Sequence, residues 1–205
     1  MKLAICVFAP ALAVTNAYAA APIEWSPTVK LTLQDFKNKV SPSTTDTAHA
    51  WVALDVAWEC RDGKARSHAR AIFDPDQSWW REGTSNIWGG VEEGLSRSQL
   101  DNRRTSGQRD QDLLQHEQLH FDLTELAARK IRRELDALAR ACATPGSNDA
   151  IGKAVAAIEG AWSDEQARYD KDTDHGTNRV KQRQWELRVR KELTALVPRA
   201  GLPSR

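Results

Sequence analysis

The stretch His116-Glu117-Gln118-Leu119-His120 places two histidines four residues apart. Residues at this spacing on an α-helix lie one above the other on the same face, so His116 and His120 can direct their imidazole nitrogens to one point. Two such nitrogens make half of a tetrahedral zinc site. The helix geometry rotates Glu117 by roughly 100° from His116, which places its carboxylate beside the metal's open position. The stretch therefore predicts a helix that carries a metal centre.

The surrounding residues also predict a helix. Between Asp110 and Cys142 apolar residues recur at steps of three and four, and both histidines lie on that stripe. A pair of core histidines bonded to backbone carbonyls is the alternative interpretation. The intermediate glutamate favours zinc, because an H-E-x-x-H run on a helix is the arrangement in which zinc peptidases activate water, with the glutamate as general base.

The first nineteen residues have the pattern of an export signal. Lys2 provides a positive start, Leu3 to Val14 is apolar, and Ala17-Tyr18-Ala19 is a small-x-small cleavage site. Cleavage there leaves residues 20–205, a length that suits a single domain. Since no later stretch is apolar enough to span a bilayer, we expect an exported protein, periplasmic or secreted, without stable membrane insertion.

The charge balance excludes one class of partner. After loss of Lys2 with the leader, 28 basic and 28 acidic side chains remain. A neutral chain of this kind argues against nucleic acid as a partner. The partner that the motif predicts is a peptide or protein substrate.

Alternating patterns precede the helical part of the chain. Ala50 to Cys60 and Ala65 to Phe73 alternate on either side of the turn Arg61-Asp62-Gly63, which predicts a hairpin, and Val29 to Leu33 alternates over a shorter run. Two further helices are predicted at about Asp149–Lys171 and Asn178–Leu196. We therefore expect an α+β fold in which a small antiparallel sheet is followed by three main helices, in a zincin-like arrangement.

The segment from Trp79 to Arg109 is rich in Gly, Ser and Arg and carries Trp79, Trp80 and Trp88. Long loops with aromatic residues are often functional, so these three tryptophans are candidates to line a cleft. The alternative is that they belong to the core, as we expect for the four tryptophans in strand and helix patterns: Trp51, Trp58, Trp162 and Trp185.

A catalytic zinc requires a third protein ligand. His175 is the preferred candidate, because it lies in a loop between two helices where Gly176 permits a tight turn. An acidic ligand is the competing interpretation. The acidic candidates are Glu125, Glu159 and Asp170, and two other histidines, His49 and His68, rank below His175.

Three further residues have candidate roles around the metal. Tyr169 could donate its phenol to the oxyanion of the transition state, or could be a packed tyrosine bonded to a backbone carbonyl. Asp122 and Asp174 are candidate acceptors for the second ring N–H of the metal-bound histidines, which normally have such a partner.

In combination these motifs resemble a bacterial family. The matching segments are Leu31–Phe36, Leu113–Asp122, Glu125-Leu126, Ala128-Arg129, Tyr169-Asp170 with Thr173 and His175-Gly176, and Gln184-Trp185. The family has long been carried as a domain of unknown function and is described as predicted secreted zinc-dependent proteases. Membership implies an exported, zincin-like metalloprotein. Two departures are Leu33, where the family usually has tryptophan, and a longer segment between Trp79 and Arg109.

The sequence thus predicts a zinc peptidase in which His116, His120 and His175 hold the metal and Glu117 is the base, with Tyr169 as candidate donor. Two alternatives stay open. One is a non-catalytic periplasmic binding or assembly module with a closed zinc site, in which an acid such as Asp170 fills the open position. The other is a zinc amidase acting on cell-wall peptides.

The two cysteines that remain after leader removal, Cys60 and Cys142, should form a disulfide, because an exported chain meets an oxidising compartment. A bridge closing so long a loop would stabilise the fold by about 4 kcal/mol in the chain-entropy model. Mass spectrometry of the exported protein under non-reducing conditions tests this. Two alkylatable thiols on the native protein would contradict it.

Overall fold

The computed structural model describes residues 20–40, 44, 47–61, 64–81, 106–138 and 147–196. Over these ranges the chain has the predicted α+β class, with short strands and a hairpin followed by three helices. The strands are β1 (Ile23–Glu24), β2 (Ala48–His49), β3 (Val52–Arg61), β4 (Lys64–Phe73) and β5 (Trp79–Trp80), with a 3-10 turn at Leu33–Asp35. The helices are α1 (Ser106–Leu138), α2 (Ser147–Thr173) and α3 (Arg179–Ala195).

The strands form two small antiparallel sheets, β1-β4-β3 and β2-β5. The predicted hairpin is confirmed, since β3 and β4 pair from Val52 opposite Phe73 to Arg61 opposite Lys64. Val29 to Leu33, in contrast, does not become a strand. The N–H of Leu31 donates instead to the side-chain carbonyl of Gln118 in α1, 2.9 Å away. The hydrogen bond that a neighbouring strand would receive is therefore used to fix this segment to the helix.

Helix α1 is the central element of the fold. Leu119, Phe121, Leu123 and Leu126 occupy different sides of the helix, and each is at most 4 % exposed. The side chain of Phe121 packs against Phe73 of the sheet, whereas Leu119 and Leu123 pack with side chains of α2 and α3. The single apolar stripe predicted from the sequence is thus incomplete, because a helix enclosed by a sheet and two helices needs apolar residues on every side.

A buried ion network links α1 to its neighbours. Oε1 of Glu125 accepts bonds from Arg129 at 2.7 Å and Arg132 at 2.6 Å. Each arginine also donates to a backbone carbonyl on another element, Arg129 to Leu193 of α3 and Arg132 to Ala69 of β4. Glu125 was a candidate metal ligand from the sequence. In the structure its carboxylate bonds the two arginines that link α1 to α3 and to β4.

Several predictions concern residues outside the described ranges. The export signal at 1–19, Trp88, and the Cys142 end of the expected disulfide all lie there, and these expectations stay predictions. Among the helices that are described, none combines the length and apolarity needed to cross a membrane.

Replacing Glu125 by Gln should lower the free energy of unfolding by about 3 kcal/mol, because it leaves two largely desolvated guanidinium groups without their counter-charge. Denaturant-induced unfolding measures this. The control is Glu59→Gln, which removes a surface carboxylate 4.0 Å from Arg66 and should cost less than about 1 kcal/mol. Equal effects of the two substitutions would show that the network does not stabilise the fold.

Candidate metal centre

Three ligand atoms from two helices converge on one point. His116 and His120 of α1 have their Nε2 atoms 3.2 Å apart. Oδ1 of Asp170 in α2 lies 3.2 Å from the first nitrogen and 2.9 Å from the second. His116 is only 2 % exposed, and the Asp170 side chain is 31 % exposed, so the group lies at the bottom of an opening. The described residues thus include a His-His-Asp set that could hold a metal ion.

The second ring nitrogen of each histidine contacts a glutamine. Nδ1 of His120 is 2.7 Å from Oε1 of Gln166 in α2, and Nδ1 of His116 is 3.3 Å from Oε1 of Gln182 in α3. A carbonyl oxygen can only accept, so each Nδ1 carries the proton. Each Nε2 is then left with a lone pair directed towards Asp170. Neither glutamine was predicted from the sequence to be a site residue.

Three electron-pair donors therefore face one another. Oδ1 of Asp170 is shielded from solvent and has no partner with hydrogen-bond geometry in the described part of the chain. Such a buried arrangement is costly unless a cation lies between the three atoms, either a proton or a metal ion. Metal–ligand bonds of about 2.0–2.1 Å with tetrahedral angles put ligand atoms about 3.3 Å apart. The observed separations of 2.9 to 3.2 Å are close to that value, so the donor set fits a metal ion.

The two histidines differ in their affinity for a proton. Burial lowers the pKa of His116, although the nearby carboxylate of Asp170 acts in the opposite direction. Burial also opposes the charge of His120, but Asp170 and the negative charge of Glu117 outweigh it and raise that pKa. The two rings in turn outweigh burial at Asp170 and lower its pKa. Of the two rings, His120 therefore takes a proton more readily, and a metal ion at this position would have to displace that proton.

Glu117 lies beside this group, as predicted. It is buried, it lines the same cleft, and its Oε2 accepts a bond of 2.8 Å from the N–H of Ala50, just after β2. An ionised carboxylate has a second oxygen, which this bond leaves available to accept a proton. The strand β2 therefore holds the candidate base in place.

The Nε2 atoms of His116 and His120 and Oδ1 of Asp170 form a triangle. His175, the predicted third ligand, lies next to this triangle and outside it. Its Nδ1 is 3.9 Å from Oδ1 of Asp170, and its side chain is 71 % exposed. His175 lies in a turn of left-handed backbone, with φ of 49° at Asp174, 51° at His175 and 84° at Gly176. The third corner in this structure is Asp170, the acidic alternative, while the choice of His175 stays a prediction.

Tyr169 is placed in the interior. It is 0 % exposed, and its hydroxyl donates to Oε1 of Gln182 at 2.8 Å and to the carbonyl of His116 at 3.1 Å. Burial raises the pKa of this phenol well above its usual value, so the phenol keeps its proton. The structure thus favours the packed role over donation to an oxyanion, because the hydroxyl is already engaged away from the cleft.

The His-His-Asp group opens into a cleft of about 730 Å³. One wall is formed by residues 47–52, around β2, and the other by residues of α2, including Trp162 and Gln166. Of the tryptophan candidates, Trp79 stacks on His49 at a ring distance of 6.1 Å, and Trp80 packs on Phe36. Among the described residues, the tryptophans that line the cleft are Trp51 and Trp162, both of which were predicted from the sequence to be core residues.

Other predicted site residues lie elsewhere or have other partners. His68 is on the exposed face of the sheet beside Asp55, and Glu159 is partly buried and outside the metal-binding group. Asp122 accepts bonds from Trp25 and Gln118, and Asp174 accepts from Thr177. For His116 and His120 the prediction of Asp122 and Asp174 as partners is wrong, because Gln182 of α3 and Gln166 of α2 contact their second ring nitrogens.

Comparison with known proteins finds a similarity to a family over the part of the chain that holds this group. Residues 93–176 match a family described as "Bacterial protein of unknown function (DUF922)", and the match spans His116, His120, Asp170 and His175. This confirms the resemblance to a bacterial family of unknown function. Searches of curated proteins and of solved structures found no match, and the zincin-like arrangement stays a prediction from the motif.

Two substitutions distinguish the candidates for the third ligand. Asp170→Asn should weaken zinc binding more than 100-fold, since loss of an orienting partner alone costs about 10- to 100-fold. His175→Ala should have the smaller effect, because its ring lies outside the triangle. Competition with a chromophoric chelator measures both affinities, and Asp164→Asn, at an exposed position on the helix of Asp170, is the control. The reverse order of the two effects would identify His175 as the ligand.

Proposed function

We propose that this chain, whose residues 93–176 carry the domain of the DUF922 family, is an exported zinc-dependent hydrolase that cleaves peptide or related amide bonds. The observation that carries the proposal is the convergence of two imidazole nitrogens and one carboxylate oxygen at the base of a cleft that Glu117 also lines. Two histidines, one carboxylate and an adjacent glutamate are a donor set and a base that serve zinc hydrolases.

The residues of the chain divide the chemistry between them. His116, His120 and Asp170 would hold the ion, with His175 as the alternative third ligand. A bound zinc ion supplies Lewis acidity, lowering the pKa of a water and polarising a carbonyl. Glu117 accepts the proton of the attacking water and returns it to the leaving amine. The N–H of Ala50 keeps the carboxylate oriented during both transfers.

The cleft favours a particular kind of substrate. Its described lining carries three acids, Glu117, Asp170 and Asp174, and includes no Lys or Arg among the described residues. A neutral or basic peptide segment suits this lining better than a group rich in free carboxylates. This charge pattern favours a polypeptide over carboxylate-rich cell-wall peptides as the substrate.

A non-catalytic zinc module is the second candidate, and one observation favours it. His175 lies 3.9 Å from Oδ1 of Asp170 and lines the cleft. A small movement of its ring would supply a fourth protein ligand and close the site, as in structural zinc centres. The number of protein ligands on a bound zinc ion, measured by X-ray absorption, distinguishes the two candidates.

Glu117→Gln tests catalysis directly. The amide keeps the shape of the side chain and an oxygen that can accept the bond from Ala50, so zinc content and thermal stability should hardly change. Hydrolysis of a quenched peptide library should fall by about 100-fold or more, the scale for loss of general-base assistance. Asp136→Asn, which removes an exposed carboxylate from the same helix, is the control.

Metal analysis of the purified mature protein accompanies this experiment, and we expect one zinc ion per chain. Identical behaviour of wild type and Glu117→Gln on all peptides and cell-wall fragments, together with four protein ligands on the zinc, would contradict hydrolysis. The zinc module would then be the better description.

A further inference from the structure

We propose that Gln182 is a positioning residue that holds His116 in the tautomer and orientation required for metal binding. It lies in α3, outside the matched residues 93–176, and is only 6 % exposed. It does not line the cleft in the described part of the chain. Its effect on the metal centre is therefore exerted through His116, without contact to substrate.

The carbonyl oxygen of Gln182 accepts from two donors at once. Oε1 is 3.3 Å from Nδ1 of His116 and 2.8 Å from the hydroxyl of Tyr169. The Tyr169 ring also stacks on the His116 ring with centroids 4.6 Å apart. The imidazole is therefore held by a hydrogen bond at its edge and by an aromatic ring on its face.

The orientation of the amide is set from the other side. Nε2 of Gln182 donates to Oε1 of Glu186, one helical turn further along α3, at 3.0 Å. Because a carboxylate accepts but does not donate, reversing the amide would put two oxygens in contact. Glu186 thus fixes the carbonyl of Gln182 towards His116, and Nδ1 of His116 has to carry the proton.

His120 also has a glutamine partner, but different groups orient the amide of this glutamine. Oε1 of Gln166 is 2.7 Å from Nδ1 of His120, and its Nε2 donates to the carbonyl of His120 and to Thr124. Gln166 comes from the same helix as Asp170, whereas Gln182 comes from α3. Helix α3 is therefore required for the site although it contributes no metal ligand.

The proposal rests on the metal site inferred above, so its first measurement is made without metal. Nitrogen-15 NMR of the histidine rings in the metal-free protein, with His116→Asn for assignment, should show His116 protonated at Nδ1. In Gln182→Leu this preference should be lost, and zinc affinity should fall by about 10- to 100-fold. Gln184→Leu, an exposed position on the same helix, is the control.

A double variant tests the hydrogen-bond arrangement itself. Gln182→Glu with Glu186→Gln exchanges the amide and the carboxylate, which preserves the acceptor facing His116 and the bond along α3. This pair should restore the Nδ1–H tautomer and most of the zinc affinity, even if Gln182→Leu folds poorly.

The outcomes separate this proposal from the proposed function. A tautomer and a zinc affinity that are unchanged in Gln182→Leu, or lost in the exchanged pair, would overturn the role of Gln182. If the wild-type tautomer is as expected but the protein binds no zinc, the proposed function fails while the positioning of His116 by Gln182 stands.

Discussion

The architecture of the site depends on one electrostatic constraint, the meeting of three electron-pair donors in a largely buried position. Nε2 of His116, Nε2 of His120 and Oδ1 of Asp170 lie within 3.2 Å of one another. In water such groups would separate, but here the packing of α1 against α2 holds them together. The fold therefore holds together an arrangement that a cation between the three atoms, either a proton or a metal ion, would stabilise.

The three helices divide the task of maintaining this arrangement. Helix α1 carries both histidines and Glu117, α2 supplies Asp170 and the glutamine that contacts His120, and α3 supplies the glutamine that contacts His116. The enclosure of α1 makes this possible, because its residues contact different elements on each side. The ion network of Glu125 and the bond between Gln118 and Leu31 fix the same helix to the sheet and to the N-terminal segment.

The turn after α2 brings a second candidate ligand to the same opening. His175 follows Asp170 by five residues, and its N–H bonds the carbonyl of Asp170 at 2.9 Å. The left-handed turn that ends at Gly176 keeps the two side chains together at the mouth of the cleft. The carboxylate of Asp170 therefore lies against the two histidines, with the exposed imidazole of His175 beside it.

The sequence by itself determined the local features: the helix that carries His116, Glu117 and His120, the β3-β4 hairpin, and the α+β class. These follow from periodicity and turn chemistry, which act between residues close in the chain. Only the tertiary structure decided that Asp170 is the third corner and that Gln166 and Gln182 orient the rings. It also placed Trp51 and Trp162 in the cleft. Such contacts join residues up to 66 positions apart, and no local pattern specifies which of several acids or amides the packing of helices brings together.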